Sequence, residues 1–136
     1  MLRRLGILII VLVAARLIAA YIWPTINDVR TGATPQYADL QPQRFAQPYE
    51  RVFEAALTTA RAQGWDVTTN DRDRGEIAAV ATTRLLRFKD DITINVTHDG
   101  DGAVVNVRSH SRIGKGDLGT NARRIRCFQA DLAPRL

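Results

Sequence analysis

Between Asp91 and Ser111, apolar and polar residues alternate on both sides of a double Asp-Gly turn, and no other feature restricts the fold of this chain as strongly. Ile92, Ile94 and Val96 alternate with Asp91, Thr93, Asn95 and Thr97. His98-Asp99-Gly100-Asp101-Gly102 then reverses the chain, after which Val105 and Val107 alternate with Asn106, Arg108 and His110. Successive strand side chains point to opposite faces, so this is a hairpin with one apolar face and one wet face. Any helices must cover the apolar side alone.

Two further strands precede the hairpin. Trp65 to Thr69 is the first, NDRDRG makes a turn, and Glu76 to about Leu86 is the second. The turn has a passing likeness to a calcium loop but lacks the third ligand and the closing glutamate, so no metal site is expected there. Upstream, Tyr49, Val52, Phe53, Ala56, Leu57 and Ala60 recur at helical spacing, with Pro48 before them and Gly64 after. A second helix is predicted from near Asp117, whose side chain can cap it, to about Leu132. Leu118, Ala122, Ile125, Phe128 and Leu132 share one face of it, and Cys127 lies one step off, half-buried or buried. The order helix, four strands, helix predicts an α+β domain over 48–136, a four-stranded antiparallel sheet with two helices packed on one face.

Residues 24–47 contain three of the prolines after Trp23 and show no periodicity, which predicts an extended linker. Before it, Leu5 to Trp23 is a run of nineteen residues, apolar apart from Arg16. That length suits one transmembrane helix over residues 1–23, and Arg3 and Arg4 orient its N-terminus to the cytoplasm. The expected location is then the inner membrane, with the domain periplasmic. Arg16 inside such a helix asks for a polar partner, which points to membrane lipids and a membrane protein as neighbours. The alternative is a signal peptide with core Leu5 to Val13 and a small-residue site at Val13-Ala14-Ala15.

The net charge of +5 suggests nucleic acid until three of the 19 basic residues are assigned to the N-terminal run. Sixteen then face 14 acidic ones, a balance of +2, and nucleic-acid binding loses its support. With a single cysteine no internal disulfide can form.

Gly114, Gly116 and Gly119 fall at the G-x-G-x-x-G spacing of a dinucleotide cradle, but only seventeen residues follow and a second parallel strand cannot fit. No cofactor is expected. The surviving reading is an anion or partner site built from Arg108, Arg112, Gly114, Gly116, Lys115, Arg123 and Arg124, since glycine-rich backbone before a helix is a general anion cradle. Against it, Asp117 already occupies the cap, and the glycines serve equally well as a tight strand-to-helix connection. A rival reading is a hydrolase using Asp90, Asp91, His110 and Ser111, which would have to converge in one pocket. His110 cannot serve either neighbouring serine on a regular strand, because they face opposite ways. The Arg84-Leu85-Leu86-Arg87-Phe88-Lys89 loop sets apolar residues among cations, as a membrane-touching or docking loop would. Lipid binding would also be served by an apolar cavity between helices and sheet.

The stretches INDVRTGATPQY (26–37), TTRLLRFKDDI (82–92) and VRSHSRIGKGDLGTNARRIR (107–126) resemble those of the bacterial family known as domain of unknown function 1499. The resemblance implies a small membrane-anchored or exported protein, and it carries no catalytic set to transfer. It also implies that Asn27, Asp28, Thr31, Gly32, Thr34, Pro35 and Tyr37 are more than a spacer, packed beside the glycine loop. The function expected from all of this is a non-enzymatic accessory or binding module exposed outside the membrane. The alternatives are a protein that binds lipid head groups or phosphate, and an uncharacterised hydrolase.

Overall fold

The computed structural model describes residues 2–136, the side chains at 2, 3 and 20 aside. Its elements are α1 (Leu2–Ile22), β1 (Asp28–Arg30), β2 (Gln43–Phe45), α2 (Tyr49–Ala62), β3 (Asp66–Asp71), β4 (Glu76–Thr82), β5 (Lys89–Asp99), β6 (Gly102–Ser111) and α3 (Thr120–Leu132). The hairpin pairs β5 with β6 from Asp90↔Ser111 to Asp99↔Gly102, leaving Gly100-Asp101 as the turn. Every strand pairing is antiparallel, and the sheet runs β1-β6-β5-β4-β3, with β2 also on β6.

The fold is α+β, with the two expected packed helices and a third at the N-terminus, but the expected four strands are corrected to six. The two additional strands come from the segment read as a linker. β1 pairs with Arg108–His110 and β2 with Ala103–Val105, so together they form one interrupted strand along the free edge of β6. Each is three residues long, too short for alternation to register. The approach of β2 is very close: a Cβ at Gly102 would lie 2.2 Å from the Phe45 carbonyl oxygen.

The apolar face of the sheet (Ile77, Ile92, Ile94, Val96, Val105, Val107) packs against Phe53 and Leu57 of α2 and Ile125 and Phe128 of α3 in one core. Trp65 stacks on Phe128 with ring centroids 5.5 Å apart. The space between helices and sheet is thus filled by side chains, and the apolar cavity expected there for a lipid is absent among the described residues.

Residues 2–22 do form a helix, exposed along its apolar length. Yet among the described residues no helix is long and apolar enough to cross a membrane. The expected transmembrane helix, and with it single-pass placement in the inner membrane with a periplasmic domain, is corrected. Arg16 divides the apolar stretch into Leu5–Ala15 and Leu17–Ile22, each well short of the roughly 20 residues a span requires. The side chain of Arg3, half of the orientation argument, lies outside the described residues.

Candidate functional site

The glycine loop leaves β6 at Ser111 and enters α3 at Thr120, and the segment after α1 lies against it. The carbonyl oxygen of Asn27 accepts from the Ser111 amide (2.8 Å) and from Asn121 Nδ2 (3.1 Å), while Asn27 Nδ2 donates to the Gly114 carbonyl (2.5 Å). Gly119 has φ +74, and a Cβ there would meet the Trp23 indole at 2.6 Å. The loop glycines therefore serve backbone geometry and packing. Asp117 accepts from the amides of Gly119 (2.9 Å) and Asn121 (2.7 Å), so the donors that an anion at the α3 terminus would need are already engaged.

The predicted anion residues do not converge. Arg108 forks onto Asp28 of β1 (2.9 and 2.7 Å), which holds the Asp28 carboxyl well below its usual value, at about 2. Arg112 forks onto Asp91 and lowers that carboxyl too. Arg124 turns inward: its Nη2 meets Asp90 at 2.7 Å while its Nη1 reaches Ser109 Oγ (3.0 Å) and Asn121 Oδ1 (2.8 Å). Asn121 Nδ2 continues the network to Ser111 Oγ at 2.8 Å. Arg126 forks onto Asp39, with its guanidinium 5.4 Å from the Tyr37 ring centre. Of the seven residues proposed, Gly114 and Gly116 lie in the exposed turn, and among the described residues only Lys115 and Arg123 of the cations keep no carboxylate partner.

The hydrolase set also separates. Asp90 and Ser111 are register partners, buried on the core side, whereas Asp91 and His110 are register partners on the wet face. Asp90 is bound to Arg124 and Asp91 to Arg112, and the two register pairs lie on opposite faces of the sheet, so the four residues do not converge in one pocket.

The structure brings two loops together instead. The β4–β5 loop and the glycine loop border an open cleft of about 560 Å³, lined chiefly by Leu85, Leu86, Phe88, Ile113 and Leu118, with Asp90 and Ser111 at its floor and Arg123 at its edge. Leu85, Leu86, Ile113 and Leu118 are 90, 63, 61 and 60 % exposed. Leu118 was expected on the buried face of the last helix. It lies before the helix, with φ +52, and points to the cleft. Across from it Arg87 also has positive φ, +56. Both residues occupy a conformation that is uncommon outside glycine, and for a bulky residue costs on the order of 1 kcal/mol. Sequence reasoning missed Ile113, whose signal was a single large apolar residue among glycines and cations. Cys127, expected buried or half-buried, is exposed on the outer side of α3.

The site thus belongs to a small α+β domain whose antiparallel sheet carries two helices on one face and an interrupted edge strand beside its glycine loop. The chain belongs to the family of proteins of unknown function DUF1499, whose model matches residues 20–132. A search of the curated proteins returns no match. Among solved structures the chain is similar to TTHA0849 from Thermus thermophilus, with 13 % identity and a TM-score of 0.41, covering 79 % of this chain and 95 % of that one.

Proposed function

We propose that this protein is a non-catalytic binding module that works through the end of the domain where the two loops meet, and that it engages anionic lipid there. The observation that carries the reading is the composition of that end. Leu85, Leu86, Ile113 and Leu118 are exposed together, beside Arg84, Arg87, Lys115 and Arg123, none of which has a carboxylate partner among the described residues. Exposed apolar residues in such a group are unfavourable in water and mark an interaction surface. Unpaired cations around them suit an interface that is apolar within and negative at its surface. The apolar α1 leaves from the same end, since Trp23 packs on Gly119.

The test is flotation of the full chain with phosphatidylcholine vesicles prepared with and without phosphatidylglycerol. Binding is expected to rise with the anionic lipid. Arg87→Ala with Lys115→Ala is expected to weaken it about thirtyfold, from about 1 kcal/mol per cation at a lipid surface. Any adhesion due to α1 alone is common to parent and variant. Equal flotation of the two on vesicles that contain phosphatidylglycerol refutes the reading.

A further inference from the structure

We infer that the cleft between the two loops is a site for one molecule of a single-chain anionic amphiphile, its chain lying between Leu85, Leu86, Phe88, Ile113 and Leu118 and its acidic head on Arg123. The choice of a lipid-like ligand rests on the reading above; the inference adds a defined site with a fixed stoichiometry.

The volume of about 560 Å³ lies within the roughly 300–1,000 Å³ of small-molecule pockets, which are mainly apolar with a few polar groups to orient the ligand. The polar groups present divide by availability. Asp90 at the floor is 2 % exposed and bound to Arg124, so it contributes a neutral pair and no free charge. Ser111 Oγ is held by Asn121, and both carboxylate oxygens of Asp117 are held by backbone amides. Arg123 differs: it lines the cleft, and its side chain makes one bond, to Thr120 Oγ1 at the long distance of 3.4 Å. Its guanidinium remains able to take a carboxylate or phosphate in forked geometry. An apolar trough closed at its floor and bordered by an available arginine matches an alkyl chain with one acidic head. It does not match a sugar or a nucleotide, whose many polar groups would go unpaired.

The test uses the full chain with dodecanoate and dodecyl phosphate below their micelle-forming concentrations, and dodecanol and hexanoate as comparisons. Calorimetry is expected to give saturable 1:1 binding of the two anionic long chains. Methyl NMR shifts should be confined to Leu85, Leu86, Ile113 and Leu118. Arg123→Ala should weaken dodecanoate about tenfold, as one charge-assisted pair at an open rim would, and leave dodecanol unchanged. Leu86→Asp, at an exposed position, should abolish binding of both without altering the circular dichroism. Absence of saturation, shifts centred on α1, or an Arg123→Ala variant that binds dodecanoate like the parent overturns the inference. Vesicle flotation without dodecanoate binding overturns it while sparing the surface contact; dodecanoate binding without flotation supports the site and removes only that contact.

Discussion

Breaking the buried pair between Arg124 and Asp90 should be among the costliest single changes available in this domain. The two groups meet at 2.7 Å with side chains 11 and 3 % exposed. Arg124→Met leaves the Asp90 carboxylate buried with no cation beside it, and also deprives Ser109 and Asn121 of a donor. Losing one partner of a buried ion pair costs about 3–5 kcal/mol, against a total stability of roughly 5–15 kcal/mol. For a domain of this size that corresponds to a fall in melting temperature of roughly 10–20 °C. Replacing both members, as Asp90→Leu with Arg124→Met, removes the unpaired charge along with the pair. It should therefore cost less than about 2 kcal/mol, because well-packed apolar substitutes for a buried pair are often neutral. Urea unfolding followed by fluorescence reads this directly, since Trp65 is buried against Phe128. If Arg124→Met costs under about 1 kcal/mol, or if the two single changes add in the double variant, the pair does not act as described.

Gly119→Ala should destabilise the chain by about 2 kcal/mol, because it combines positive φ with a clash against the indole. In a Trp65→Phe background it should also shift Trp23 emission to the red; unchanged emission would mean that Trp23 is not seated on Gly119. Asp28 titrates at about 2 in the folded chain, below its ordinary 3.8, mainly through its hydrogen bond to Arg108. Its contribution is thus complete above about pH 4 and disappears as pH falls through about 2. Asp28→Asn should cost about 1 kcal/mol at pH 7, after discounting for solvent screening, and progressively less as pH falls through about 2; a cost independent of pH in urea titrations would contradict the pairing.

How much of this could be read in the sequence depended on distance along the chain. The β5–β6 hairpin was legible because alternation over ten residues and an Asp-Gly turn are both local signals. So was α2, through its apolar repeat at helical spacing. The failure of the dinucleotide cradle was also local, a matter of too few residues after Gly119. The pairing of cations with acids was not legible: Arg108 finds Asp28, and Arg126 finds Asp39, across eighty residues or more. A run of arginines in the sequence suggested an open anion site, and folding neutralised most of it.

By itself the sequence determined a domain with one wet sheet face and two helices covering the other, because side-chain periodicity assigns each residue to a face before any long-range contact forms. Only the tertiary structure decided that Asp28–Arg30 and Gln43–Phe45 complete the sheet edge, and that Leu85 and Ile113 border one cleft with Arg123 at its edge. Those choices depend on which distant segments reach each other in space, and three-residue strands and single loop side chains are too short to announce their partners.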